Sequence, residues 1–259
     1  MNFSSLAHPV QRLDSRGVRE GVDRGPAQWN GRLVFVKRLV SDQPEQRQRF
    51  RREGRVLSRL RHPLIVPLLD QGERELVFPM IAGETLRERI ERGPLNVCAA
   101  LQLMAGLLDA LQYIHQQGVV HHDLKPENVM LVGGQLNARS VRLIDFGMAH
   151  DPLDPEDSNS VARMGTPQFM PPEQFQGRRG DPRSDLYAAG VLLWDALSGQ
   201  IPHPDALGWL VGLRPERGPL PGPAALHPLL ERCLSRDPAQ RPQSALDLRV
   251  ALDRLARSM

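Results

Sequence analysis

The sequence is poor in cysteine and has no long uninterrupted apolar run among its 259 residues. Its two cysteines, Cys98 and Cys233, lie far apart and match no metal-ligand spacing, so we expect two reduced, partly buried thiols, as is typical of cytoplasmic proteins. The longest apolar stretch, 97–111, is interrupted by Gln102 and Asp109, and we expect it to be too short and too polar to span a bilayer. The N-terminus lacks a basic region followed by an apolar one, so no signal peptide is predicted.

The sequence also lacks a dense field of one charge and is poor in aromatic residues, which make up 5% of it. The net charge is only +3, and the basic residues are scattered among acidic ones. No basic block with interleaved aromatic residues occurs, so the sequence gives no support for nucleic-acid binding. A membrane partner is not expected either.

Lysine is the scarcest of the charged residues. Of the 33 basic side chains that are lysine or arginine, only Lys37 and Lys125 are lysine. Because a generic surface cation can be of either type, a lysine in so arginine-rich a chain indicates a place where a compact ammonium group is needed. Both lysines fall inside the polar motifs described below.

Periodicity predicts strands early in the chain and helices later. Strands are predicted in short pieces from about 10 to 39, most clearly at 32–39, and then at 64–69, 75–78, 129–132 and 141–144. Helices are predicted at 44–60, 84–91, 95–117, 184–198, 205–213, 225–234 and 245–257. This order indicates an α+β fold with a small β-rich lobe over about 10–81 and a larger helical lobe over about 82–257.

Two polar segments stand out in the middle of the chain. The segment 121–128 (HHDLKPEN) places an aspartate, a lysine and an asparagine on one predicted loop, and DFG follows at 145–147 directly after an apolar strand. Carboxylate and amide oxygens suit Mg²⁺, which takes few protein ligands and keeps several waters. Phosphoryl transfer from ATP requires such a metal, a cation that holds phosphate and a carboxylate that positions the attacking hydroxyl.

HHDLKPEN followed by DFG resembles the catalytic and metal-binding loops of eukaryotic-like protein kinases, in the style of the bacterial Hanks-type Ser/Thr kinases. The resemblance implies that Asp123 accepts or orients the proton of the substrate hydroxyl and that Lys125 contacts the γ-phosphate. It implies that Asn128 and Asp145 hold Mg²⁺ or Mn²⁺ beside ATP. The lysine two residues after the aspartate resembles Ser/Thr rather than Tyr kinases, so the implied partners are proteins that carry Ser or Thr.

The resemblance extends to residues that would hold the nucleotide. VFVK is similar to the V-A-I-K strand of the family, so Lys37 would reach the α- and β-phosphates, with Glu53 on the following helix as its partner. In the segment that would join the two lobes, Phe78 would be the gatekeeper. The carbonyl of Pro79 and the amide of Ile81 would face adenine, since proline lacks only the amide donor.

The later motifs imply structural roles. The stretch that ends in PPE resembles the end of a kinase activation segment, in which Glu173 would pair with Arg241. Asp185 would cap and anchor the helix beneath the catalytic loop. The preceding loop, about 30 residues long after DFG, is expected to be functional because loops of that length are uncommon inside a compact domain. Candidate phosphorylation sites within it are Ser158, Ser160 and Thr166.

The glycine-rich loop departs from the family pattern. Family spacing back from Lys37 puts its three glycine positions at Ser15, Gly17 and Glu20, with Val22 at the valine position, whereas a shifted alignment uses Gly17 and Gly21. Either alignment has fewer glycines than G-x-G-x-x-G, and side chains limit how closely the backbone amides approach phosphate. A carboxylate at Glu20 would also repel the phosphates.

Two further departures affect the expected site. Phe35 stands where the family has alanine and shares a strand face with Lys37, so it would stack on the base or fill the pocket, unless a one-residue register shift places it in the core. His122 replaces the arginine of HRD, which pairs with an activation-loop phosphate in the family. A histidine would be a weaker, pH-dependent partner, so we expect weak dependence on activation-loop phosphorylation.

Three functions therefore remain in view. The first is an active Ser/Thr protein kinase, which the simultaneous presence of the chemical residues favours. The second is a pseudokinase that acts as a binding or regulatory module, which Phe35, the poor glycine loop and His122 favour. The third is a kinase of small alcohols, against which the DLKPEN lysine and the PPE segment argue. The resemblance covers about 10–255 and no membrane helix or sensor follows, so we expect a free-standing cytoplasmic domain of unspecified oligomeric state.

Overall fold

The structure is a computed structural model that describes residues 6, 8–15, 17–154, 166–210, 213 and 217–258. Its strands are β1 (Val10–Arg12), β2 (Val18–Arg19), β3 (Val22–Trp29), β4 (Arg32–Leu39), β5 (Asp70–Gln71), β6 (Glu75–Pro79), β7 (Gly83–Thr85), β8 (Val129–Val132) and β9 (Val141–Leu143). Its helices are α1 (Pro44–Arg59), α2 (Leu86–Glu91), α3 (Val97–Gln116), α4 (Pro172–Phe175), α5 (Arg183–Ser198), α6 (Ala206–Leu210), α7 (His227–Cys233) and α8 (Ala245–Ser258). The β-rich N-terminal part and the helical remainder confirm the α+β bilobal prediction.

The N-terminal lobe is an antiparallel sheet in the order β1-β3-β4-β6-β5, with β2 paired to β3. β3 and β4 form a hairpin whose two-residue turn, Asn30 and Gly31, has positive φ at both positions (49° and 69°). Such turns match the right-handed twist of the strands, and Asn-Gly is the sequence that suits them best. This turn fixes the register that points Lys37 into the cleft.

One predicted strand of this lobe is wrong. The apolar stretch 64–69 forms only an isolated bridge, Ile65 to Leu143, and the short strand β5 begins after it. Pro67 interrupts the stretch and has no amide to give to a ladder. The other early predictions, 32–39 and 75–78, are confirmed as β4 and β6.

α1 begins with Pro44 in its first turn and buries Phe50, Val56 and Leu57 against the sheet-side core. Proline is tolerated there because the first amides of a helix have no intrahelical partner. The opposite side of α1 carries arginines, among them Arg52, Arg55 and Arg59. α1 thus packs by its apolar stripe and presents a charged face to the rest of the molecule.

The C-terminal lobe is built around α3, which contacts both α5 and α8. The Asn96 side chain caps its start by accepting a hydrogen bond from the Ala99 amide at 2.9 Å. α3 is longer than the apolar stretch in the sequence, and among the described residues it is the one helix long and apolar enough to cross a membrane by length and composition. Most of it is buried inside this lobe, as in the core helix of a globular domain.

A second small sheet, β7-β8-β9, lies at the top of the C-terminal lobe. The predicted helix at 84–91 is too long, because Gly83–Thr85 pairs with β8 and the helix begins only at Leu86. Thr85 is its N-cap, and its hydroxyl and the Glu88 carboxylate form a capping box. β8 and β9 confirm the predicted antiparallel pair that carries the catalytic and metal-binding loops at its ends.

Candidate active site

The β4 register decides which side chains face the cleft. Phe35 pairs across the sheet with Phe78, and Lys37 pairs with Leu76 on one side and Arg24 on the other. Phe35 and Lys37 lie on one face, while Val34 and Val36 are buried on the opposite face. The alternative register shift that would place Phe35 in the core is therefore wrong.

Lys37 lies at the centre of a buried charge cluster. Its Nζ is 2.6 Å from the Glu53 carboxylate on α1 and 3.3 Å from Asp145 Oδ2. Burial by itself raises the pKa of the Asp145 carboxyl, but Lys37 and Arg24 outweigh it and hold that pKa well below its usual range. Asp145 is therefore ionised at neutral pH, as a ligand for a divalent cation must be.

The catalytic loop gathers three of the predicted residues. Lys125 Nζ is 2.8 Å from Asp123 Oδ2, and the Asn128 amide nitrogen donates to the backbone carbonyl of Asp123 at 2.7 Å and to its carboxylate at 2.9 Å. The Asp123 side chain is thus held by an ammonium group and an amide. Both hydrogen bonds of Asn128 use its nitrogen, so its Oδ1 oxygen is left for another partner.

A buried carboxylate beneath the loop holds its backbone. Asp185, in the first turn of α5, accepts hydrogen bonds from the amides of His121 at 2.8 Å and His122 at 2.9 Å and from the His115 ring at 2.8 Å. Burial alone would raise the pKa of Asp185, but the His115 hydrogen bond helps to lower it to about 2. The expected anchor is present, whereas α5 has no side-chain cap at its N-terminus.

His122 is not the phosphate partner that its position suggested. It is buried, with φ of 62°, and its Nε2 accepts a hydrogen bond from the Gly180 amide at 3.0 Å. Its Nδ1 therefore carries the proton and faces Gln174 Oε1 at 3.2 Å. Burial lowers the pKa of His122 to about 4, so the ring is neutral at physiological pH. The expectation of a pH-dependent cation at this position was wrong, because sequence alone did not show that Gln174 and Gly180 enclose the ring.

The cleft also has an apolar wall beyond the charged cluster. A cavity of about 460 Å³ lies between the lobes. Its lining is Phe35, Lys37, Glu53, Val66, the segment 78–83, Thr85, Glu88, Met130, Ile144 and Asp145. The volume falls within the range of small-ligand sites. Phe35 therefore lines the cleft and leaves it open. The predicted hinge residues Phe78, Pro79 and Ile81 all contribute to the wall.

The glycine-poor loop closes as a tight hairpin between β2 and β3. Its turn residues, Glu20 and Gly21, have φ of 52° and 70°. A Cβ on Gly21 would lie 2.5 Å from the Cβ of Ser41, and the positive φ is one that side chains rarely adopt, so glycine is strongly favoured there. The Glu20 carboxylate lies 3.4 Å from Arg49 of α1, which offsets the repulsion expected from it.

The remaining loop positions lie away from the cavity wall. The amide of Gly17 donates to the Ser15 hydroxyl at 3.1 Å, and Gly17 is exposed. Val22 is buried, pairs with Leu39 and belongs to the core. Neither Gly17 nor Val22 is among the described residues that line the cavity, so their roles in nucleotide binding remain predictions.

The C-terminal lobe holds the expected buried ion pair. Arg241 donates two hydrogen bonds, of 2.6 and 2.8 Å, to the Glu173 carboxylate, and the Ser184 hydroxyl donates to the same carboxylate at 2.8 Å. Thr166 lies beside the catalytic loop, with His122 and Asp123 around a small cleft. The candidate sites Ser158 and Ser160 lie outside the described residues.

Sequence reasoning missed a second cation in the site. Arg24 on β3 has its guanidinium 3.5 Å from Asp145 Oδ2, and its Nε is buried without a hydrogen-bond partner among the described residues. The Asn-Gly sequence at Asn30 and Gly31, which is typical of a two-residue hairpin turn, could have predicted the position of Arg24. A two-residue hairpin turn there places Arg24 opposite Lys37 on the same face.

The site fits a metal-bound nucleotide. Asp145 and the free Oδ1 of Asn128 are the oxygen ligands that Mg²⁺ prefers, and Lys37 and Arg24 are cations suited to phosphate. Ile81 lines the cavity, and its amide makes no hydrogen bond with the described residues, so it is available to donate to a base. An aromatic and aliphatic wall beside a hinge with an available backbone amide suits a base, and the charged far end suits phosphates.

These features define the class of a protein kinase catalytic domain. The model of the protein kinase domain family matches residues 16–249, and the chain belongs to this family.

The named relatives are bacterial. The chain is 37% identical to the serine/threonine-protein kinase pkn2 of Myxococcus xanthus over 94% of its own length and 31% of that protein. It is 35% identical to pkn3 of the same organism, over 82% of the chain and 42% of the relative. It is 33% identical to PknB of Mycobacterium tuberculosis, over 86% of the chain and 39% of the relative. The resemblance to Hanks-type bacterial Ser/Thr kinases is thereby confirmed, and the chain spans about a third to two fifths of the length of these relatives.

Proposed function

We propose that this chain transfers the γ-phosphate of Mg-ATP to Ser and Thr hydroxyls of proteins, its own included. The observation that carries the proposal is the convergence of Lys37, Glu53 and Asp145 on one buried cluster, next to an Asp123 held by Lys125 and Asn128. A kinase needs the Lys–Glu ion pair and a metal-binding aspartate at once, and the contacts of Lys37 with Glu53 and Asp145 support these roles.

In the proposed reaction the substrate hydroxyl oxygen bonds to the γ-phosphorus while the bond from that phosphorus to the β,γ-bridging oxygen breaks. The hydroxyl proton passes to the Asp123 carboxylate, and ADP leaves. Lys125, 2.8 Å from Asp123, would contact the transferred phosphoryl group. Lys37 and Arg24 neutralise the remaining phosphates.

Asn128 and Asp145 would hold the metal. When bound, Mg²⁺ neutralises charge on the phosphate oxygens and orients them. Two oxygen ligands from the protein suit an ion that keeps several waters, and Mn²⁺ is accommodated by the same ligands. Among the described residues no cluster of three or more His, Cys, Asp or Glu side chains competes as a metal site.

The pseudokinase alternative is not favoured. The features that supported it were Phe35, the glycine-poor loop and His122. Phe35 leaves a cavity of about 460 Å³ open, the Glu20 carboxylate is paired with Arg49, and His122 serves as a neutral structural residue. None of the three removes a chemical group from the site.

We further propose a reducing, ATP-containing compartment, namely the cytoplasm, and a role in protein phosphorylation signalling. Cys98 is exposed and Cys233 is buried, and both are free thiols. Burial raises the pKa of the Cys233 thiol to about 12, so it is unreactive at neutral pH.

The test is transfer of label from γ-labelled ATP to the chain itself and to a generic basic protein, with Mg²⁺ and in parallel with Mn²⁺. The Asp145→Asn variant should lose transfer. Asp109→Asn, a charge removal at a half-exposed position on α3, should retain it. Absence of label in the folded wild-type chain would return the assignment to a pseudokinase, and label on small alcohols alone would indicate the third function.

A further inference from the structure

Two carboxylates lie just beyond DFG and face the charged side of α1. Residues 151–154 (DPLD), here called the DPLD turn, form a β-turn closed by a hydrogen bond from the Asp154 amide to the Asp151 carbonyl at 2.9 Å. Aspartate before proline is a favoured start for such a turn. The Asp151 carboxylate also accepts the Leu153 amide at 3.0 Å. The turn thereby presents both aspartates to the same neighbour.

That neighbour is a row of arginines on α1. Arg52, Arg55 and Arg59 are spaced by three and four residues, so they share one helix face. The two oxygens of Asp154 are taken by two different arginines: Arg52 Nε at 3.2 Å and Arg55 Nη1 at 2.8 Å. Arg59 Nη2 lies 2.7 Å from Asp151 Oδ1.

The carboxylates of the junction and Arg52 are buried, whereas the side chains of Arg55 and Arg59 are 30% and 34% exposed. The side chains of Arg52 and Asp154 are each 1% exposed, and that of Asp151 is 0% exposed. Exposed ion pairs contribute little, whereas a buried charge that loses its partner is costly. The burial therefore ties the position of α1 to the position of the DPLD turn.

The turn is itself fixed to the catalytic loop. His150, directly before it, makes two backbone hydrogen bonds with Val120, at 2.7 and 3.3 Å, and Val120 directly precedes His121. On α1, Arg52 is the neighbour of Glu53, whose carboxylate reaches Lys37 at 2.6 Å. A continuous set of contacts thus runs from the catalytic loop through the DPLD turn and α1 to the phosphate-binding lysine.

In kinases that are switched on by phosphorylation, a phosphate on the activation segment supplies the anion that orders the segment and positions the helix carrying the glutamate. Here His122 is neutral and enclosed by Gln174 and Gly180, so it offers no cation for such a phosphate. The helix arginines are already matched by carboxylates that are part of the chain.

We propose that Asp151 and Asp154 are positioning residues that hold α1 in its Glu53–Lys37 arrangement, so that the kinase is active without phosphorylation of its activation segment. This inference rests on the proposed function and concerns the regulation of the same site. It accounts for weak phosphorylation dependence by a different mechanism from the histidine substitution that first suggested it.

The first experiment compares Asp154→Asn with wild type. The substitution removes the negative charge that Asp154 presents to buried Arg52 and to Arg55, so α1 moves and kcat falls by on the order of tenfold to a hundredfold, since small misplacements have effects of that size. The matched control is Asp42→Asn, which removes a carboxylate paired with Arg47 at the exposed beginning of α1 and should leave kcat within about twofold. An unchanged kcat in Asp154→Asn would overturn the proposal.

A double-mutant cycle separates positioning from general destabilisation. In a Glu53→Gln background, Asp154→Asn should lower kcat by less than about twofold, because its effect acts through Glu53. Independent, multiplicative effects would contradict the proposal. If Asp154→Asn does not fold, Arg55→Gln is tested in its place. Asp154 then still pairs with Arg52, so kcat is expected to fall by only about threefold.

The phosphorylation arm uses the phosphatase-treated wild type and a Ser158→Ala/Ser160→Ala variant. Both should transfer label at the wild-type initial rate with no lag, and a lag or a dephosphorylated chain without activity would overturn the proposal. Hydrogen exchange of the α1 amides in Asp154→Asn tests whether the junction holds the helix, even in a chain without transferase activity. Faster exchange than in the wild type would support the proposal, and unchanged exchange would refute it. Failure of the proposed function and failure of this inference are thereby distinguishable.

Discussion

The two ends of the cleft are built on different principles. At the phosphate end, charged groups converge within 2.6 to 3.5 Å on Asp145, Lys37 and Glu53, and each requires its partner. At the base end, Phe35, Phe78 and the 78–83 segment enclose space by shape and leave a backbone amide for recognition. Phosphate chemistry therefore constrains which side chains are present. Recognition of a flat base constrains the volume of the cavity and the position of a backbone amide, and it tolerates an unusual side chain such as Phe35.

The largest expected effect lies at the phosphate end. Asp123→Asn removes the carboxylate that we propose accepts the hydroxyl proton, so kcat should fall by about 10²- to 10⁴-fold. Nucleotide affinity should stay nearly unchanged, because Asp123 is held by Lys125 and Asn128 and does not line the base cavity. Initial rates and a titration with a fluorescent ADP analogue measure the two quantities. A fall in affinity as large as the fall in kcat would show that the two ends are not separable.

Arg24→Leu should have a moderate effect, on the KM for ATP rather than on kcat. Loss of the guanidinium 3.5 Å from Asp145 removes a cation from the phosphate region, so the KM for ATP should rise about tenfold with little change in kcat. The matched control is Arg38→Leu, an arginine on the opposite face of β4 that pairs with Glu75. An equal rise in KM in the control would assign the effect to the sheet and not to the site.

A smaller effect is expected at the base end. Phe35→Ala removes an aromatic wall, so the KM for ATP should rise about threefold while kcat is retained. An ATP analogue with a bulky group on the base should become a better substrate for the variant. Leu33→Ala, an exposed position two residues away on the same strand, is the control. If Phe35→Ala lowers the KM instead, the ring obstructs the base rather than stacking on it.

The smallest effect on activity is expected from His122. Its folded pKa is about 4 and the ordinary value is 6.5, so the unfolded chain binds more protons between these values and stability falls as the pH decreases through that window. The slope that this group contributes is at most about 1.4 kcal/mol per pH unit. Thermal unfolding of wild type and His122→Asn from pH 4 to 8 should show a shallower acid loss in the variant. An activity step near pH 6.5 that disappears in His122→Asn would contradict a neutral role.

Residue order and spacing were enough to predict the chemical residues, because catalysis demands particular groups at particular separations along the chain. Asp123, Lys125 and Asn128 lie within one loop, so their proximity follows from covalent connection. The bilobal α+β fold followed from strands that precede helices. The site roles themselves remain predictions that the geometry supports.

What could not be predicted depends on long-range contacts. Arg52 and Asp154 are 102 positions apart, and Gln174 and Gly180 reach His122 from 52 and 58 positions away. A DPLD sequence predicts a turn but not the helix that the turn faces. The strand predicted at 64–69 was wrong because apolar character indicated burial, whereas Pro67 interrupts the stretch and only Ile65 forms a bridge, with Leu143.

The two lysines give the molecule a chemical handle. Lys37 lies in the cleft beside Glu53, and Lys125 lies beside Asp123, and no other side chain of the sequence carries a primary amine. An amine-selective acylating reagent, in particular one delivered on a nucleotide, can therefore modify side chains only within the catalytic centre. The N-terminal α-amine is also a primary amine, and once its contribution is subtracted the mass added to the intact chain would count modified lysines directly, without digestion or peptide mapping.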